Sequence, residues 1–257
     1  MTALTLKCPK CGAARPSGLG GPAPVCDACG LVFAKWTQRT LGAERLPAAG
    51  DDDEAAAGSG GLAGVVEYLI YVEPRTDPIV FWGRVALWCA FALWGLYFIS
   101  LDFRTGEVMH SFMHRIDLIF HEAGHLLFMP FGHFMMVLGG TLGQLLMPAI
   151  ATVALVWKNR DNFGGALGVW WFGQSLMDCA PYINDARALQ LPLLGGGTGA
   201  DRPGVHDWEN LLLDLNLLHR DHQIAALVNA LGTLILLLGL AWGAWILWRQ
   251  YQHLKTD

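Results

Sequence analysis

Charge is scarce in this sequence. Lysine, arginine, aspartate and glutamate together make up 15% of the 257 residues while 53% are hydrophobic, a balance that excludes an ordinary soluble domain. A basic excess is missing too: 17 Lys and Arg stand against 22 Asp and Glu, which sets nucleic acid aside as a partner. Part of the acid is one run, Asp51, Asp52, Asp53 and Glu54, which reads as solvated linker. Cysteine is short as well. Four of the six lie before residue 30 in paired spacing, and Cys89 and Cys179 stand singly in apolar stretches, so no disulfide framework is expected. No apolar run long enough to matter precedes Ile79; no cleavable signal peptide is therefore expected ahead of the cysteines, and the N-terminus is expected to stay in a reducing cytoplasm.

What is present is a succession of apolar runs. Residues 79–100 are long enough to span a bilayer, and similar runs follow at 116–131, 134–157, 163–180 and 224–248. They predict an all-α polytopic protein with about five transmembrane helices, its partner the lipid bilayer and its setting an integral, bacterial-type inner membrane. Residues 207–222, with Leu at helical spacing, predict an amphipathic interfacial helix. The Gly-rich stretch 195–204 before it reads as a loop that admits a substrate or acts as a lid. Tryptophans in and beside the runs read as interfacial anchors and lipid-facing bulk.

The cysteine pairs are Cys8-Pro-Lys-Cys11-Gly and Cys26-Asp-Ala-Cys29-Gly, with fourteen residues between the inner two. Glycine after each second cysteine suits a tight turn whose amides face thiolate sulfur. Four thiolates at this spacing predict a closed tetrahedral zinc ribbon over residues 1–36, stapled by one structural Zn2+ and without chemistry of its own. Residues 37–64, rich in Ala, Gly and Asp, predict a flexible linker. Such a ribbon could also dock a cytosolic partner.

The decisive motif is His121-Glu122-Ala-Gly-His125. Residues four apart share a helix face, so both imidazoles can bind one metal while Glu122 stands beside them as a base for water. A helix starting near Arg115 would carry His121 about 9 Å along its axis, to a depth where an unpartnered polar side chain is costly. Two histidines leave zinc one protein ligand short. Asp178 is the leading candidate for the third. It belongs to a polar stripe, Ser175, Asp178, Tyr182 and Asp185, on one face of an otherwise apolar helix that Pro181 is expected to kink or end. Asp185 and His206 stay open as alternatives.

These residues resemble the site-2 protease family of membrane-embedded zinc metallopeptidases, in which an HExxH helix binds zinc together with an aspartate on a later membrane helix. The resemblance covers roughly residues 110–190. It implies His121 and His125 as ligands, Glu122 as general base, Asp178 as the later aspartate, one catalytic Zn2+, and hydrolysis of membrane-associated polypeptides. The chain departs from the family pattern where Cys179 and Ala180 follow Asp178 in place of glycine, and no PDZ-like insertion is visible. Residues 65–257 accordingly read as a membrane-embedded metallopeptidase-like domain.

Two other readings compete. His110, His114, His121 and His125 would lie within about 60° of one another on an unbroken helix, with Asp117 beside them, which suits a membrane di-iron oxidative enzyme. No HxxHH box supports it. The other is a non-catalytic, zinc-binding membrane scaffold.

Overall fold

The computed structural model describes residue 8 and residues 17–18, 21–22, 25–26, 28–29, 61–73 and 77–254. They divide into two units, residues 1–64 and 65–257. In the first, β1 (Ser17–Gly18) and β2 (Gly21–Pro22) pair antiparallel, Gly18 opposite Gly21. Cys11 and residues 37–60 of the expected 37–64 linker lie outside the described residues, and the end of that linker, from Leu62, is already helical.

The second unit is helical. After α1 (Leu62–Ile70), α2 (Pro78–Ser100) begins where Asp77 accepts the Ile79 and Val80 N–H groups and Pro78 supplies a preset first turn. Then come α3 (Phe112–Phe128), α4 (His133–Val153) with a π-turn through Lys158, α5 (Asn162–Asn184), the short α6 (Asp207–Asp214) and α7 (Asp221–Leu254). All five apolar runs are helices. Three, Pro78–Ser100, His133–Lys158 and Leu218–Leu254, are long and apolar enough to cross a membrane. The remaining two, α3 and α5, are where the polar residues of the motif and stripe collect.

Three boundaries differ from expectation. α3 starts earlier, because Ser111 caps it by accepting the His114 N–H at 3.0 Å, and His110 falls in a separate 3-10 turn, Glu107–His110. The row of four histidines on one helix is thereby broken. α5 runs through Pro181 to Asn184, the chain continuing helically as Asp185 N–H reaches the Pro181 carbonyl at 3.0 Å. α6 stops at Asp214 rather than 222, since Asn216 takes a left-handed φ of 57° while the Leu217 and Asn216 N–H groups return to Leu212 and Leu213, a Schellman closure.

Inside a bilayer the lipid tails are as apolar as the side chains, so helices associate through close packing and interhelical hydrogen bonds. Both are visible. α3 and α4 form a hairpin turned at Gly132, whose φ of 96° suits glycine. Their backbones meet at Gly124, Gly139 and Gly143, where a Cβ on Gly124 would fall onto the Gly139 carbonyl oxygen. α5 lies against α7 at a second such seam, Gly173 beside Gly232 and Leu236. Trp170 is fully buried there, edge-on to Phe91 at 4.7 Å, so this tryptophan is core rather than a lipid anchor. Pro148 cannot donate to the Gln144 carbonyl one turn back, and the Ser175 hydroxyl of α5 donates to that oxygen instead at 3.3 Å.

Candidate metal centre

The α3–α4 seam sets the site. Gly140 faces the two imidazoles so closely that a Cβ there would lie 2.5 Å from His121 Nε2 and 2.6 Å from His125 Nε2. Each ring is fixed through its other nitrogen. His125 Nδ1 donates to the Met136 carbonyl at 2.8 Å, and His121 Nδ1 donates to Gln144 Oε1 at 3.3 Å. The Gln144 amide is oriented by its neighbours: its NH2 group donates to the Ser175 carbonyl at 3.3 Å and to Asp178 Oδ2 at 3.0 Å, both acceptors, so its oxygen must face His121. With the protons on Nδ1, both Nε2 lone pairs are left free to bind.

They face Asp207. Its Oδ2 lies 3.0 Å from His121 Nε2 and 3.3 Å from His125 Nε2. Two nitrogen lone pairs and a carboxylate oxygen repel at this distance unless positive charge lies between them, carried by a proton or a metal ion. Zinc bonds of about 2.0–2.1 Å place tetrahedral N and O donors roughly 3.3–3.4 Å apart, close to the spacings observed. Glu122 stands beside the imidazoles: one of its carboxylate oxygens and one nitrogen from each ring lie within 4.8 Å of one another. Burial resists ionisation of Asp207, but wherever a proton is shared with the facing imidazoles their hydrogen bonds and charge outweigh it and hold the carboxyl below its usual range.

Asp178 is elsewhere. Its carboxylate accepts His114 Nδ1–H at 3.0 and 3.1 Å and the Gln144 amide, so its two oxygens are engaged two side chains away from the imidazole Nε2 atoms. The carboxylate that the structure brings to the imidazole pair is Asp207, where Asp178 was expected, while Asp178 holds the Gln144 amide. The two open alternatives pair with each other, His206 Nε2 lying 3.5 Å from Asp185 Oδ2. Asp117, fully buried, accepts Trp171 Nε1–H at 2.8 Å.

These groups border a cavity of about 610 Å³. His121, Glu122, His125 and Asp207 line it beside Gly204 of the Gly-rich stretch and Leu193 and Val205 that flank it. Asp207 was hidden in the sequence as the first residue of an amphipathic helix; a hint was available in His206-Asp207, an N-cap histidine followed by an acid in the first turn.

In the N-terminal unit, Cys8, Cys26 and Cys29 present sulfurs within 4.8 Å of one another, and Cys8 and Cys29 are 3.7 Å apart. Thiolates bonded tetrahedrally to zinc at about 2.3 Å would stand roughly 3.8 Å apart. Comparison of the chain with protein-family models, curated proteins and solved structures gives no match.

Proposed function

We propose that this chain is a membrane-embedded zinc metallopeptidase that hydrolyses peptide bonds of membrane-associated polypeptides. The observation that carries the reading is the convergence of His121 Nε2, His125 Nε2 and Asp207 Oδ2 at tetrahedral-edge distances with Glu122 alongside. His121, His125 and Asp207 would hold the ion and leave a fourth position open toward the cavity. Zinc bound there lowers the pKa of water and polarises a scissile carbonyl. Glu122 takes the proton from the attacking water and delivers it to the leaving amine. Gln144 and Met136 keep both imidazoles in the metal-binding tautomer throughout. The cavity accepts an unwound segment, since a peptide bond inside a regular helix is already hydrogen-bonded and sterically hidden.

In this reading α3 and α5 also lie within the bilayer, bringing the membrane helices to five. The N-terminus is cytoplasmic, and Cys8, Cys11, Cys26 and Cys29 hold a structural zinc in a ribbon available to a cytosolic partner. The separation of the histidines favours hydrolysis over di-iron chemistry: His114 is committed to Asp178, and His110 is off the helix.

The test starts with elemental analysis of the full chain. Two zinc ions per chain are expected, one lost in His121→Ala/His125→Ala and the other in Cys26→Ser/Cys29→Ser. Glu122→Gln should keep both while the new N-termini that the wild-type chain produces among membrane polypeptides disappear. Unchanged cleavage by Glu122→Gln would refute the peptidase reading and leave a zinc-binding scaffold.

A further inference from the structure

Asp207 reaches the imidazoles from the far end of a strap, residues 186–206, that leaves α5 and comes back to the same helix end. Both limbs are gripped there. Asp185 accepts the Gln190 and Leu191 N–H groups, each at 2.9 Å, which folds the outgoing limb onto the end of α5. On the returning limb His206 is fully buried. Its Nδ1 accepts the Glu209 N–H at 3.1 Å and caps α6, so its proton sits on Nε2, which faces Asp185 Oδ2 at 3.5 Å. One helical turn earlier, the Tyr182 ring packs against the His206 ring at a tilt of 40°, centroids 4.1 Å apart, and its hydroxyl oxygen accepts the Asp207 N–H at 3.2 Å. Tyr182 in the last turn of α5 and Asp185 at its C-cap therefore hold His206, the last strap residue, and Asp207, which carries the carboxylate facing His121 and His125.

We propose that Tyr182 and Asp185 are positioning residues for metal binding: they clasp His206 and Asp207 so that the first residue after the strap serves as a preorganised third donor. The inference rests on the metal-centre reading above. A carboxylate at the end of a twenty-one-residue strap has no intrinsic reason to meet two helix-borne histidines, and the clasp supplies that reason by holding His206 and the backbone N–H of Asp207. Residues that orient a ligand in this way typically alter metal affinity about 10- to 100-fold.

The experiment is a Co2+ titration of the full chain in detergent against a competing chelator. Thiolate-to-cobalt charge transfer reports the ribbon, and the ligand-field bands of a nitrogen and oxygen site report the centre at His121. Asp185→Ala should weaken the second site about 10- to 100-fold and shift its bands toward those of Asp207→Asn, with the ribbon signal unmoved. Tyr182→Phe, which removes one oxygen and keeps the ring, should weaken it about 10-fold and carries the test if Asp185→Ala does not fold. Arg187→Ala breaks the nearby ion pair with Asp221, 2.6 Å, without touching the clasp, and should bind cobalt as the wild type does. Wild-type affinity in Asp185→Ala and Tyr182→Phe, alongside lost binding in His121→Ala and Asp207→Asn, would overturn the clasp and leave the metal centre standing. Wild-type affinity in His121→Ala and Asp207→Asn would overturn the centre and the clasp together.

Discussion

Replacing Gly140 by alanine adds one methyl group at the point where α4 passes beneath the two imidazoles. The new Cβ would lie 2.5 Å from His121 Nε2 and 2.6 Å from both Nε2 and Cε1 of His125. Carbon against a ring atom is comfortable at about 3.5 Å, so each ring must retreat by roughly 1 Å. The rings are ends of side chains rather than backbone and can retreat without moving the helices. The overpacking cost, about 1–3 kcal/mol, is partly offset by the roughly 1 kcal/mol that alanine gains over glycine inside a helix. The metal-free protein should therefore unfold within about 1–2 kcal/mol of the wild type. Metal binding is different, because retreat takes both nitrogens off the tetrahedral positions and away from Asp207 Oδ2 at the same moment. A 1 Å misplacement at a functional centre costs on the order of 100-fold, and here two of three protein donors are displaced.

The assay is zinc competition against a chromophoric chelator, run beside thermal unfolding in chelator. Gly140→Ala should lose at least about 100-fold in zinc affinity at the helical site while the unfolding temperature without metal changes little. Wild-type zinc affinity would refute the placement of the ion at the Nε2 atoms over Gly140. A large loss of metal-free stability would show instead that the contact is packing and no more.

Gly124→Ala should behave in the opposite way: its Cβ meets the Gly139 backbone, which cannot swing aside, so thermal unfolding should show a loss at or above the 1–3 kcal/mol usual for overpacking. Asp178→Asn should retain zinc with about 10-fold weaker affinity, measured by the same competition, because the amide keeps one acceptor for Gln144 while losing the charge that orients it. Gln144→Leu removes the acceptor for His121 Nδ1 and leaves Asp178 and the Ser175 carbonyl short of a donor. Each buried group left unsatisfied costs about 1–3 kcal/mol, so this variant should lose both zinc affinity and unfolding temperature.

The parts legible in the sequence are those written in a local period. Five apolar runs give five helices, and the four-residue spacing of His121 and His125 puts both rings on one face. The stripe of Ser175, Asp178, Tyr182 and Asp185 is equally periodic, and all four side chains find partners around the site: Ser175 on the Gln144 carbonyl, Asp178 on His114 and Gln144, Tyr182 on Asp207, Asp185 on the strap. What periodicity could not assign is which of them touches the ion. Asp178 was the natural choice because a carboxylate buried among apolar residues demands a partner, but that demand is met equally well by an imidazole N–H and an amide. Gln144 was not singled out, although its side chain links the HExxH helix, α4 and the stripe.

The third donor of the proposed centre comes from the end of a segment without any repeat. Between Asp185 and Asp207 the chain passes through Leu189 at a φ of 55° and three consecutive glycines at positive φ, and no spacing rule predicts where such a path ends. Its end point is fixed by contacts between residues distant in sequence, the approach of Asp207 to His121 across 86 positions above all. Preorganising a loop-borne donor requires a rigid element to hold it. The last turn of α5 provides that element, which explains why the polar stripe continues past Asp178 to Tyr182 and Asp185. The stripe is thus an orienting surface with two targets, Gln144 behind His121 on one side and the base of the strap on the other.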